Sequence, residues 1–177
     1  MIPEKNCARC PLSQFRTKIV MPDGNHDSYV AFVGEAPGEN EDLTGRPFVG
    51  KSGKLLERIM NEEGIKRSDV LITNTVKCRP PGNRDPTKEE MEACRPFLEY
   101  ELSERKVVVG LGRSACRSLI GYEGKMADIA NKEMKIIMNG KELTFIPTYH
   151  PAACIYNNDS KAELRRTMNI IKNRYMG

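Results

Sequence analysis

Three short apolar runs, each followed by a helix-like pattern, constrain this chain more than any other feature. Ser28-Tyr-Val-Ala-Phe-Val-Gly34, Asp69-Val-Leu-Ile-Thr-Asn-Thr-Val76 and Lys106-Val-Val-Val-Gly-Leu-Gly112 are rich in β-branched residues and almost continuously hydrophobic. Strands buried on both faces read this way; strands with one wet face alternate. Leu55, Leu56, Ile59 and Met60 recur at helical spacing after the first run. After the second, a helix is predicted with Asp85 as cap and Pro86 as first helical residue, ending near Leu102. Further helices are expected from Arg113 to Ile120 and from about Lys161. Lys135–Met138, Asn139-Gly140 and Lys141–Ile146 read as a hairpin around a type I′ turn. The alternation predicts an α/β fold: three layers, α/β/α, around a central, mainly parallel four-stranded sheet. At 177 residues the chain suits a single domain over 1–177.

In open α/β sheets the ligand crevice lies beyond the carboxyl ends of the strands. The residues that follow the runs are Gly34-Glu-Ala-Pro-Gly38, then Asn74 and Lys77-Cys-Arg-Pro-Pro-Gly82, then Gly110-Leu-Gly112, and last Tyr149-His150-Pro151. Glycine-rich backbone, one amide and one imidazole are thus expected to converge at one rim.

Six cysteines call for an explanation. No apolar run is long enough to cross a bilayer, and the first residues hold nothing like the core of a secretory signal. The expectation is a cytoplasmic protein in a reducing compartment, where structural disulfides are disfavoured. Cys7 and Cys10 form a C-x2-C pair, and Cys78 and Cys94 a wider pair. Two residues between cysteines let both thiolates reach one metal centre. A four-cysteine zinc site and an iron–sulfur cluster both fit, the wide second pair favouring the cluster. Cys116 and Cys154 read as buried core residues.

Gly45-Arg-Pro-Phe-Val-Gly-Lys51-Ser52 satisfies the phosphate-loop pattern letter for letter. The context is wrong. That pattern needs a strand running straight into the loop, but here the run ends near Gly34 and Pro37 intervenes. Pro47 also removes a backbone donor from the loop that should cradle phosphate. The segment is instead expected to present Phe48 as an exposed aromatic between glycines. The net charge of +4 decides little by itself, but Lys77, Arg79 and Arg84 surround a Pro-Gly turn.

Taken together, Gly34-Glu-Ala-Pro-Gly-Glu-Asn-Glu-Asp42, Gly45-Arg-Pro-Phe-Val-Gly50, Asn74-Thr-Val-Lys-Cys-Arg-Pro-Pro-Gly-Asn83 and His150-Pro-Ala-Ala153 closely resemble the iron–sulfur uracil-DNA glycosylases, family four of that superfamily. The resemblance covers nearly the whole chain and includes four cysteines at matching places. It implies a monofunctional enzyme that hydrolyses the N-glycosidic bond of uracil in single- or double-stranded DNA, leaves an abasic site, and initiates base excision repair. A [4Fe–4S] cluster is then expected on Cys7, Cys10, Cys78 and Cys94. Contacts to uracil are expected from Glu35, Ala36, Pro37, Glu41, Phe48, Asn74 and His150, with His150 and Glu35 catalytic and Glu41 closing the pocket against the thymine methyl group. Lys77, Arg79 and Arg84 are expected to meet DNA phosphates, and Ile155 or Tyr156 to fill the gap left by a flipped base. The relatives often carry an arginine in that last motif which this chain lacks. The loop between Cys78 and Cys94 also lacks the basic insertion of related proteins that bond covalently to uracil. The enzyme is expected to act as a monomer, away from membranes, and the sequence identifies no sliding-clamp partner.

Two readings from other classes stand beside this one. The first is a non-catalytic iron–sulfur protein that binds nucleic acid with a vestigial pocket, and Phe48, Asn74 and His150 speak against it. The second is the phosphate-loop nucleotidase.

Overall fold

A computed structural model describes residues 1–176. Its centre is a six-stranded sheet in the order β1-β3-β2-β4-β6-β5. The three apolar runs become β2 (Val30–Gly34), β3 (Leu71–Asn74) and β4 (Val107–Leu111), and β6 is Lys141–Thr148. These four pair in parallel, β3 with β2, β2 with β4 and β4 with β6. The expected four-stranded parallel sheet is therefore present, with one antiparallel strand added at each edge. β1 (Asp23–Gly24) pairs with β3, and β5 (Met134–Met138) pairs with β6 as the hairpin partner. The turn between β5 and β6 has positive φ at both Asn139 (50°) and Gly140 (76°), as a type I′ turn requires. β1 is two residues long, too short for any periodicity to announce it.

Alternate residues of each central strand point to opposite faces, and both faces are covered. Val30, Phe32, Val107 and Val109 pack with Leu56, Ile59 and Met60 of α2 (Lys51–Glu62) and with Leu164, Met168 and Ile171 of α6 (Asn158–Tyr175). Ala31, Val33 and Val108 pack on the other side with Leu98 and Leu102 of α3 (Lys88–Leu102) and with Ala115 and Leu119 of α4 (Arg113–Ile120). That is the three-layer arrangement. The cap of α3 corrects the expectation, because Thr87 rather than Asp85 accepts from the Glu90 N–H while the Glu90 carboxylate answers the Thr87 N–H. This reciprocal pair satisfies two otherwise orphaned donors, which Pro86 at the first helical position would not do. Two short helices, α1 (Glu39–Thr44) and α5 (Pro151–Cys154), sit directly after strand ends. Among the described residues no helix is long and apolar enough to cross a membrane.

The connection from β2 runs outward to β3, while that from β4 runs the opposite way to β6. Their C-terminal loops diverge above the middle of the sheet, and that divergence opens a crevice.

Candidate active site

A cavity of about 1010 Å³ fills this crevice, larger than one pyrimidine requires and at the top of the usual range for small-molecule sites. It is lined by all seven residues expected at the base: Glu35, Ala36, Pro37, Glu41, Phe48, Asn74 and His150.

Asn74 ends β3 and stands opposite Gly34, the last residue of β2, across the parallel ladder. It is 3% exposed, and its Oδ1 is buried with no hydrogen-bond partner among the described residues. A buried unpaired acceptor costs on the order of 1–3 kcal/mol, so an acceptor left open in a cavity marks the place of a donor that arrives with a ligand. Gly34 makes the approach possible. A Cβ there would stand 2.2 Å from the Phe48 ring and 2.6 Å from Asn74 Oδ1, so only a residue without a side chain lets the ring and the carboxamide share that spot.

Phe48 is not the exposed ring expected from the sequence. It is 6% exposed and belongs to the core packed on α2 while lining the cavity. Its backbone lies in the left-handed region at φ 53°, costly for a residue with a bulky side chain. Arg67 holds it there, donating to the carbonyls of Phe48 (2.9 Å) and Pro47 and pairing with Asp23 at 3.1 Å. Neither Arg67 nor Asp23 carries any motif that could have revealed this role. The phosphate-loop reading fails here as expected, since α1 separates β2 from the loop that leads into α2.

His150 follows β6 and caps α5, its Nδ1 accepting from the Ala152 N–H at 3.0 Å. An accepting Nδ1 carries no proton, so the ring proton sits on Nε2. Burial depresses the imidazole to about 4, against a small opposing pull from Glu41, and the ring is therefore neutral near pH 7. The Pro151 that follows starts the short helix and fixes the chain direction. Gly112, at φ 93°, packs against this residue, where a Cβ would stand 2.8 Å from that of His150.

Glu35 is half-buried. Burial raises its carboxyl to about 7; Ser114, donating from Oγ to Oε2 at 3.0 Å, opposes the rise, and the negative charge of Asp85 adds to it. Its main-chain carbonyl accepts from the Thr75 hydroxyl at 2.5 Å and the Val76 N–H at 3.3 Å, tying the loop to the β3 end. Ser114 and Asp85 were not anticipated. The first sits one helical residue beyond the third glycine run, and the second had been assigned to a helix cap.

Glu41 lines the cavity, but its carboxylate is already committed. Oε1 accepts from the Gly38 N–H at 2.9 Å, and Oε2 accepts from those of Val49 (2.8 Å) and Gly50 (2.6 Å). It clamps the Gly34–Gly38 loop to the Gly45–Gly50 loop while lining the cavity.

Lys77 is likewise corrected. The side chain is 1% exposed and forms an ion pair with Glu101 at 2.6 Å, so it cannot reach a phosphate. Arg79 is half-buried and donates to Asn83 Oδ1 at 2.8 Å. Arg84 stands at the cavity wall, bonded through both guanidinium nitrogens to Glu90 at 2.8 Å each. Ile155 packs against the core, whereas Tyr156 is 89% exposed and accepts from Lys51 Nζ at 2.9 Å. Arg113, Arg117 and Lys125 also line the cavity, and sequence reading had passed over all three.

Cys7, Cys10, Cys78 and Cys94 line one small second cavity with Arg16 and Phe97. None is in a disulfide. Arg16 donates to the Cys7 carbonyl at 2.7 Å and approaches Cys78 Sγ at 3.6 Å. Among the described residues no three histidine, cysteine, aspartate or glutamate side chains close on a point that would hold a single ion. Zinc needs its sulfurs all at about 2.3 Å from one ion. A four-iron cluster takes its cysteines on different irons, and four free cysteines round one cavity are a donor set of the kind it uses. Cys116 and Cys154 are buried in the core, as expected.

Comparison with known proteins gives the family. Residues 21–172 match the model of the uracil DNA glycosylase superfamily. The type-4 uracil-DNA glycosylase of Thermotoga maritima is 46% identical over 166 residues, covering 92% of this chain and 83% of that protein. That of Sulfurisphaera tokodaii is 41% identical over 174 residues, covering 94% and 79%. A type-5 uracil-DNA glycosylase from Thermus thermophilus is 35% identical over 118 residues, 57% of this chain and 53% of its own.

Proposed function

This chain belongs to the uracil DNA glycosylase superfamily, and from that premise we propose that it hydrolyses the bond between uracil and deoxyribose in DNA, with Phe48, Asn74 and His150 gripping the extruded base. The observation that carries the reading is the open acceptor on Asn74, buried at the floor of a cavity walled by an aromatic ring and a neutral imidazole.

The glycosidic bond of a base inside a duplex is out of reach, so the nucleotide swings into the cavity at a cost of a few kcal/mol. Stacking on Phe48 offsets about 1–3 kcal/mol of that cost. Asn74 accepts from uracil N3–H through Oδ1 and donates to O4 through Nδ2. Cytosine presents the opposite pattern and would leave buried polar groups unpaired, which is how normal DNA is spared.

As the bond breaks, its electron pair leaves with N1 of uracil and the sugar becomes an oxocarbenium ion. Negative charge gathers on uracil O2, where His150 donates its Nε2–H. A neutral donor held in place by the Ala152 N–H needs no reorganisation at that moment. Water adds to the sugar carbon, and its proton passes to the Glu35 carboxylate, whose ionisation burial raises to about 7. Ala36 and Pro37 supply wall and backbone, and Glu41 holds the two loops at the spacing that fits a pyrimidine.

Arg79 and Arg84 supply phosphate contacts, Arg84 from the cavity wall, and Ile155 or Tyr156 fills the vacated space in the duplex. Cys7, Cys10, Cys78 and Cys94 hold a [4Fe–4S] cluster, which when bound cross-links the N-terminal segment, the loop after β3 and α3 without taking part in hydrolysis. The enzyme works as a monomer inside the cell, on the chromosome.

The test is direct. Purified protein is incubated with a labelled oligonucleotide holding a single uracil, treated with alkali and resolved by length. Cleavage at the uracil is expected. Intact product from both single-stranded and paired uracil would leave the non-catalytic reading standing.

A further inference from the structure

Burial removes Lys77 from the DNA surface and leaves a charged group that the chemistry above does not use. Its Nζ donates to Thr73 Oγ1 at 2.6 Å, to the Asn74 main-chain carbonyl at 2.7 Å and to Glu101 Oε1 at 2.6 Å. The Thr73 hydroxyl donates in turn to the same Glu101 oxygen at 2.7 Å. Three acceptors thus meet the three protons of one ammonium, and the network is closed.

A buried ion pair is weak evidence for stability. Desolvation offsets much of the attraction, and a well-packed apolar pair of similar volume often serves as well. The bond to the Asn74 carbonyl is something an apolar pair cannot supply. Asn74 sits at the last rung of the β3 ladder, and its Oδ1 has no partner among the described residues. The aim of the carboxamide therefore depends on how firmly its main chain is held.

We infer that Lys77 is a positioning residue for base recognition: its ammonium, neutralised by Glu101, pins the Asn74 carbonyl and thereby directs the Asn74 side chain at the base. The same residue reaches the cysteines. It lines the cysteine cavity, its carbonyl accepts from the Val20 N–H at 2.7 Å, and Cys78 follows it in the chain. Lys77 thus joins the cysteine cavity, which it lines beside Cys78, to the end of β3, whose Asn74 carbonyl it holds. This inference rests on the reading of Asn74 as the uracil-recognising group.

The experiment uses the iron-loaded full chain and the double variant Lys77→Met/Glu101→Gln, which removes both charges and leaves no unpaired buried ion. The readout is the ratio of dissociation constants for two duplexes, one holding a single 2′-fluoro-2′-deoxyuridine, which resists hydrolysis, the other 2′-fluoro-2′-deoxycytidine at the same place, since cytosine is the base whose pattern Asn74 opposes. Iron content and thermal unfolding are measured in parallel, with Asn74→Ala as comparator. A folded double variant with wild-type iron content is expected to lose about ten-fold or more of the uracil preference. Wild-type preference in that folded variant, while Asn74→Ala loses it, would leave Lys77 with a packing role and overturn the inference. Wild-type preference in Asn74→Ala would instead overturn the reading of Asn74, and the inference with it. Should the double variant fail to fold, Thr73→Val decides, since it removes one acceptor of the ammonium at almost constant shape. A preference reduced about threefold or more supports the inference, and an unchanged preference refutes it.

Discussion

The Phe48 ring lies 5.7 Å from the His150 ring, centroid to centroid, and is tilted 33° to it. The two residues are brought together from distant segments of the chain, one from the loop that enters α2 and one from the end of β6. Asn74 lies below them on β3. The three groups belong to three different segments, so the pocket exists only when the sheet has closed.

Phe48 keeps its place through Arg67. Replacing Arg67 with alanine removes two bonds to carbonyls and one of the two arginines paired with Asp23, and frees a residue held at positive φ. We expect a loss of about 2 kcal/mol in chemical denaturation. Excision should slow by about ten-fold, as the stacking wall loosens. A rate equal to wild type would mean that the loop holds Phe48 unaided.

Gly34→Ala tests the close approach of ring and carboxamide. The added methyl would overlap both Phe48 and Asn74, and overpacking of this kind costs about 1–3 kcal/mol. Because the displaced groups are the ones that hold the base, excision should fall by about 100-fold while the fold survives. The ratio of activity loss to stability loss is the quantity to measure.

How much of this was legible in the sequence follows from what kind of signal each part leaves. The central strands are buried on both faces, so their hydrophobicity alone revealed them, and Asn139-Gly140 revealed the hairpin because few other residue pairs accept two positive φ angles. Asn74 and His150 stood out because they are polar residues placed just past apolar runs. β1 left no signal, having only two residues. Lys77 was misread because a charge in a loop looks solvated, and only coordinates reveal the three acceptors around it; they likewise reveal the three backbone donors around Glu41. Arg67 and Ser114 act on partners 19 and 79 residues away, beyond the reach of any local pattern.

The pH dependence of excision should report Glu35. Its carboxyl is raised to about 7, first by burial, and the reaction needs it ionised. kcat/KM is therefore expected to rise with pH through about 7 and then level off. In Glu35→Gln that rise should vanish along with most of the activity. A profile unchanged by the substitution would assign the proton to another group.

His150 gives a separate signal in stability. Its folded-state value, about 4, lies below the ordinary 6.5, so between these two values the unfolded chain takes up a proton that the native site refuses. The stability contribution is complete above 6.5 and is lost as pH falls toward 4. Wild type should therefore lose stability relative to His150→Gln over that window, as measured by denaturant unfolding at several pH values. Parallel curves would show that the imidazole ionises freely in the native protein.

Single-turnover excision by wild type, Asn74→Ala and His150→Ala, on the same oligonucleotide with one uracil, tests the central claim most directly. Each substitution removes one contact to the base where charge or specificity is decided, and each is expected to slow the chemical step by about 100-fold or more in a protein that remains folded. Rates near wild type for both would contradict the account, since the cavity between Phe48 and His150 would then not be where uracil is cut.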